Sequence, residues 1–196
     1  MIIITTCRRP TRRLRSFVKD LAKVIPNSIR VNRGKMSLKD LIAYSRSLGA
    51  RMIILVGLRH GNPGIVRFIE LTEFGYTFKP PIIQILSVRL IREIKAPYIP
   101  AANSIITCTF EKYSEKLKLF TQEIAENIMS PYIELSDISD IKGVADVILL
   151  IEENQKVFAK ILFLEGTKLF EIGPRIIVKG AKIEARGLEG GHKGKA

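Results

Sequence analysis

A run of five β-branched residues, Ile2, Ile3, Ile4, Thr5 and Thr6, gives way within a few positions to apolar residues at helical spacing, and this handover limits the fold class. β-Branched side chains favour extended backbone, so the run reads as a short buried strand. Over residues 11–25, Leu14, Phe17, Leu21, Val24 and Ile25 recur at helical spacing, while Arg12, Arg13, Arg15, Lys19 and Lys23 fill the remainder. SIRVN reads as a second short strand. Ser37, with Asp40 three residues on, has the pattern of a capping box that opens SLKDLIAYSRSL, and Gly49 ends that helix. MIILVG and IVRFIEL read as two strands around the loop LRHGNPG, where a tight strand connection is expected. The order β-α-β-α-β-β predicts an α/β fold.

The chain then repeats its opening. Offset by 103 residues, IIITTCRRPTRRLRSFVKDLAKVI lies over IITCTFEKYSEKLKLFTQEIAENI, which sets Leu14 on Leu117, Phe17 on Phe120 and Leu21 on Ile124. ADVILLI and KVFAKILFL, joined around ENQ, correspond loosely to the later strands, and GPRIIVKGAKI reads as a strand-rich end. The overlay predicts an internal duplication into two similar halves, residues 1–97 and 98–196, each a mixed β-sheet with helices.

The overlay keeps the apolar skeleton but not the charge. Arg8, Arg12 and Lys23 stand opposite Glu111, Glu115 and Glu126. The net charge of +13 is carried by one third of the chain. Residues 1–67 hold fifteen Lys or Arg against two acids, Asp20 and Asp40, whereas residues 68–196 hold seventeen of each sign. Such segregation points to one face built for a polyanion.

Other properties narrow the setting. No apolar run approaches the roughly eighteen residues of a membrane-spanning helix. MIIITTC lacks a charged segment before its apolar stretch, so no signal peptide and a cytoplasmic location are expected. Cys7 and Cys108 have no CxxC or His-rich partner nearby and read as buried thiols, so neither a disulfide nor a metal site is expected.

Arg8, Arg9, Arg12 and Arg13 sit where cations oppose the positive end of a helix dipole, at a few tenths of a kcal/mol each. A phosphate reverses that balance, because the free N–H groups of the first turn and the guanidinium forks would point donors at one anion. With Arg15 they form the first group of expected phosphate contacts. The segment RVNRGKMS adds Arg30, Asn32, Arg33, Gly34 and Lys35, with Gly34 suited to a positive-φ turn. Arg59, His60 and Asn62 belong to the loop LRHGNPG, whose glycines do not fit a Walker loop. Arg175 and Lys179 in GPRIIVK complete the set. Tyr44, Tyr76 and Phe78 are candidates for stacking on unpaired bases, although aromatics at such positions are more often core.

At this point the residues carry a likeness. RRP followed by LRSFVKDL, then IPN, NRG, SLKDL, GAR and GNPG, in this order and spacing, resemble the Brix-domain family of ribosome-assembly proteins, and GPR before a final strand is similar to that family's C-terminal signature. Cys7 departs from a small hydroxyl residue expected there, and Gly180 from a bulkier one. The resemblance implies two alike α/β halves, each similar to the anticodon-binding domain of class II aminoacyl-tRNA synthetases. It also implies ribosomal RNA or its precursor as ligand during subunit maturation, with other assembly proteins as possible partners. The minimal form, rich in isoleucine and poor in glutamine, resembles archaeal members and the family's small-subunit processome branch. No cofactor, no membrane and a monomer are expected.

Two rivals remain at this level. An accessory module acting on transfer RNA would share the fold and the charge. An RNA-processing enzyme is disfavoured, because metal-assisted phosphoryl chemistry needs clustered carboxylates and the basic third offers only Asp20 and Asp40. His60 and His192 are far apart in sequence with no obvious carboxylate partner, so the chain reads as a binding factor without catalysis.

Overall fold

The computed structural model describes residues 1–94, 105–141, 146–153, 156–165 and 168–179. Strand β1 (Ile2–Thr6) is buried along its whole length. It pairs in parallel with β2 (Ser28–Arg30) on one edge and β3 (Met52–Arg59) on the other. Helices α1 (Arg12–Val24) and α2 (Leu38–Ser47) make the two crossovers. Successive strand side chains point to opposite faces, so Ile2 and Ile4 meet Leu14, Phe17, Val18 and Leu21 of α1, while Ile3 meets Leu41 and Ile42 of α2. Thr5 is fully buried, and its hydroxyl donates to the Val31 carbonyl at 2.7 Å.

Local chemistry sets the helix starts. Thr11 caps α1 by accepting from the Leu14 N–H. At α2 the expected capping box is present in both directions, with Asp40 N donating to Ser37 Oγ at 3.1 Å and Ser37 N to Asp40 Oδ2 at 2.9 Å. Gly49, at φ +73°, follows the end of α2.

Strand β3 turns into β4 (Asn62–Leu71) through only His60 and Gly61, whose positive φ values of 48° and 78° suit a two-residue hairpin. A Cβ at Gly64 would lie 2.6 Å from the Arg59 backbone nitrogen, so β3 and β4 approach this closely only because that residue is glycine.

Strand β5 (Tyr76–Arg89), 14 residues long, has no counterpart among the strands expected from the sequence. Pro80 and Pro81 interrupt its pattern and argue against a strand. They fall where the ladder with β4 shifts register between Val66 and Phe68, so the break in pairing coincides with the residues that lack an N–H.

Beyond the short α3 (Ile91–Ile94), β6 (Ile106–Phe110) leads to α4 (Glu115–Ile128) and β7 (Tyr132–Leu135). A 3₁₀ turn at Ile138–Ile141 precedes β8 (Asp146–Glu153), β9 (Lys156–Glu165), β10 (Lys168–Glu171) and β11 (Arg175–Lys179). These strands form one mixed sheet in the order β2-β1-β3-β4-β5-β11-β9-β8-β6-β7, with β10 paired to β9. Strand β6 is flanked in parallel by β7 and β8, as β1 is by β2 and β3. Helix α4 starts on Ser114, whose side chain accepts from the Leu117 N–H. Its Leu117, Phe120 and Ile124 enter the same core as Leu14, Phe17 and Leu21 of α1. The expected boundary at residues 97 and 98 lies outside the described residues, as do Gly180 and His192.

Because Phe17 and Phe120 are fully buried in one shared core, Phe17→Ala and Phe120→Ala should each cost about 3–5 kcal/mol. Urea denaturation followed by circular dichroism should show a single transition for both variants, and a separate second transition in either would contradict a shared core.

Candidate nucleic-acid interface

Parallel pairing of β1, β2 and β3 sends their carboxyl ends to the same edge of the sheet, and both helices begin there. In open α/β sheets this is the edge at which ligands bind. Cys7 N donates to the Val56 carbonyl at 2.9 Å, which holds the loop after β1 against β3. Thr11 Oγ1 donates to the Gly61 carbonyl at 3.0 Å, tying the start of α1 to the hairpin tip. The first three groups of expected contacts are thereby gathered from separate stretches of sequence.

Their side chains do different things. Arg12, Arg15 and Lys19 of α1 line a cleft of about 400 Å³ with Ser16, Arg30 at the end of β2 and Arg92 of α3. Five of its six lining residues are cations, and none is an acid. Arg30 also donates to Asn32 Oδ1 at 2.5 Å. Arg59, His60 and Asn62 line a second cleft of about 250 Å³ with Pro63, Ile85 and Leu86. Arg8, Arg9, Gly34 and Lys35 are exposed around the loops, and Gly34 has the positive φ, +56°, that its loop suggested.

Arg13 and Arg33 differ from solvated surface arginines. Arg13 donates to both carboxylate oxygens of Glu93, at 2.5 and 2.8 Å, and to the Val88 carbonyl at 2.7 Å. Its role in the fold is to clamp α1 to the end of β5, and its repulsion with the helix dipole is offset by a carboxylate. Arg33 is 92% buried, at 8% relative exposure, and its Nε donates to the Met36 carbonyl at 3.1 Å. Burial, and then the nearby positive charge of Arg8, push its pKa below the usual arginine value.

Both acids of the basic third are engaged. Asp40 is consumed by its capping box, and hydrogen bonds from Ser37 hold its carboxyl below the usual range. Asp20 accepts from the Ile91 N–H at 3.0 Å, although burial keeps its pKa raised. No cluster of three metal-ligating side chains occurs among the described residues. No described helix is long and apolar enough to cross a membrane.

The C-terminal pair separates. Arg175 is the ladder neighbour of Arg89 and is hydrogen-bonded to Glu171 through Nε at 2.8 Å and through Nη2. Lys179, four residues along β11, pairs with Lys156 and lies toward the other end of that strand. One smaller expectation needs correction. Cys7 is half-buried, because it lies on the loop beyond β1, whereas burial pushes the Cys108 thiol up to about 12. Tyr44, Tyr76 and Phe78, the candidates for stacking, are all exposed.

No family model matches the chain. Among curated proteins it is 31% identical over 190 residues to a probable Brix domain-containing ribosomal biogenesis protein of Thermococcus kodakarensis, covering 91% of this chain and 89% of the relative. The chain belongs to the Brix family of ribosomal biogenesis proteins. A second member, from Methanococcus maripaludis, is 35% identical over 133 residues, or 68% of this chain and 74% of that protein. The fold matches the crystal structure of a probable ribosomal biogenesis protein from Aeropyrum pernix K1 with a TM-score of 0.75 and 23% identity, over 92% of this chain and 96% of that one. An archaeal Imp4-like protein matches with a TM-score of 0.61 and 20% identity, over 91% of this chain and 97% of its own.

Two cations of this Brix chain's main cleft, Lys19 and Arg92, were not among the expected contacts. Lys19 continues the spacing of Arg12 and Arg15 along one helix face, a signal present in the sequence. Arg92 arrives only through the docking of α3, tied to α1 by Asp20, and no local pattern announces it.

The Arg13 clamp generates a pH test. Arg13 holds the Glu93 carboxyl below its ordinary value of 4.5. A depressed carboxyl contributes stability that is present above the unfolded pKa and is lost as pH falls through the folded one. Glu93→Gln should therefore cost about 1 kcal/mol at neutral pH, a modest figure because the pair is partly exposed. The gap to the parent should close below pH 4.5 in thermal melts, and a gap that persisted in acid would refute the ionic origin.

Proposed function

We propose that this Brix chain serves ribosome biogenesis by holding ribosomal RNA, or its precursor, through phosphates at the carboxyl edge of β1–β3. The observation that carries the reading is the cleft of Arg12, Arg15, Lys19, Arg30 and Arg92, where five cations converge with no acid in the lining. Guanidinium forks match phosphate geometry, and contacts of this kind position a protein on RNA without reading its bases. Arg8, Arg9, Lys35, Arg59 and His60 extend the surface around the cleft. Arg33, buried beside Arg8, gains most from an arriving anion, because a charge with little solvation is the one a phosphate most stabilises. Arg13 and Arg175 belong to the framework, since their forks are occupied by Glu93 and Glu171.

We read the chain as a binding factor rather than an enzyme, with Asp20 and Asp40 spent on α3 and α2. We also infer that residues 1–97 and 98–196 arose by duplication. Support comes from the matching parallel pairings of β1 and β6, the caps Thr11 and Ser114, and the buried pair Phe17 and Phe120. Likeness of each half to an anticodon-binding domain is the finer part of the same reading. Cytoplasmic ribosomal RNA is the ligand it favours, with assembly proteins as further partners.

Salt separates a phosphate site from a general coat of charge. Arg12→Ala combined with Arg15→Ala should lower the slope of log K against log[salt] by about 1.4 units, at roughly 0.7 per contact on single-stranded RNA. Lys112→Ala combined with Lys116→Ala removes equal charge near α4 and should leave the slope unchanged in filter binding. Equal slopes for the two variants would sink the assigned cleft.

A further inference from the structure

Strand β5 has one buried face and one open one. Ile83, Ile85 and Val88 are buried in the core shared by α1 and α4, whereas Tyr76, Phe78, Ile82 and Leu86 are each 43–51% exposed. Helix α2 covers Ile3, Ile53 and Ile69. Phe78 is the ladder partner of Ile69, and Tyr76 that of Leu71, so both aromatics stand on the α2 side of the sheet. Their rings meet edge to face with centroids 5.9 Å apart. Arg46 of α2 donates to the Thr72 and Gly75 carbonyls at 2.8 and 2.5 Å, fixing the turn that leads into Tyr76 against the helix that carries Tyr44, itself 42% exposed.

We infer that Tyr44, Tyr76 and Phe78 form a stacking platform for unpaired RNA bases at the end of the sheet remote from the arginine cleft. The inference rests on the RNA-binding reading and extends it from phosphates to bases. Charge favours RNA as the occupant. On this face β4 contributes Arg67, while Glu70 lies on the other face, paired with Lys79 at 3.7 Å, and Glu73 stands in the turn beyond. A second copy of the chain would bring Arg67 against Arg67, and an acidic protein segment would gain little from exposed rings already packed edge to face. Strand β3, with 8 residues, runs between the two ends, so roughly 25 Å separates platform from hairpin at about 3.3 Å per residue. A single strand held by phosphates at one end can place bases on the rings at the other.

The test uses the full chain with two labelled probes, an oligouridylate and an RNA duplex. Phe78→Ala and Tyr76→Ala should each weaken oligouridylate binding by roughly five- to a hundredfold, the usual range for a lost base stack. The salt slope and duplex affinity should stay at parent values, which also certifies folding. Phe78→Tyr should retain binding, whereas Phe78→Leu, which keeps apolar area without a π face, should lose it. Oligouridylate should quench tyrosine emission, which is readable because the chain has 5 Tyr and 0 Trp. If Phe78→Leu binds like the parent, or both alanine variants do while the arginine variant loses slope, the platform falls and the phosphate cleft stands. An apolar protein contact is then the better use of this face. If the parent binds neither probe at low salt, both readings fall.

Discussion

The arginine edge depends on β1 being paired on both sides and covered on both faces. A parallel neighbour needs a crossover, and each crossover here is a helix that must start beyond the strand's carboxyl end. Two parallel neighbours and two covering helices therefore bring the loop after β1, the loop after β2 and the tip of the β3–β4 hairpin to one side. Burial of Ile2, Ile3 and Ile4, at about 1.5–3 kcal/mol each, makes this arrangement costly to distort. The cations are carried by loops and helix ends, but the most buried strand of this region sets their positions.

That concentration of charge has a cost, and the fold limits it by the use it makes of its few acids. Glu93, from outside the basic third, comes to Arg13, while Asp20 anchors α3 and Asp40 caps α2. None of the three lies in the lining of the main cleft, so each stabilises the framework without neutralising the surface. Exposed guanidinium ends separated by water repel one another by only about 1 kcal/mol at 4 Å, a cost the framework can absorb. Arg33 is different, because its burial removes the screening that makes such crowding tolerable.

Elements with strong local periodicity were legible in advance. Helices α1 and α2, the capping box of α2, the turn at Gly34 and the tight hairpin all follow from side-chain spacing or backbone preference. Strand β5 was not legible, because Pro80 and Pro81 oppose a strand locally and only the register shift against β4 accommodates them. The candidate site divides in the same way. Its basic stretch could be found by charge alone, and Lys19 by helical spacing. Arg175 pairs with Glu171, only four residues before it, so its engagement is local. Arg13, by contrast, owes its engagement to Glu93, and Arg92 owes its place to α3. These last two are properties of tertiary packing, and charge patterning cannot separate a cation that holds the fold from one that faces solvent.

The strand–helix units β1–α1 and β6–α4 show why charge and core can part company. Leu14, Phe17 and Leu21 match Leu117, Phe120 and Ile124 in burial, and removing such a side chain costs several kcal/mol. Exposed positions away from special contacts change stability by only about half a kcal/mol. Arg12 can thus stand where the other unit has Glu115, which pairs with Lys118 at 3.0 Å, without disturbing either helix cap. Core constraint preserves the scaffold while surface freedom lets one unit gather cations and the other balance them. Where charge gathers on such a protein is then decided by its cheapest positions, on a framework set by its most expensive ones.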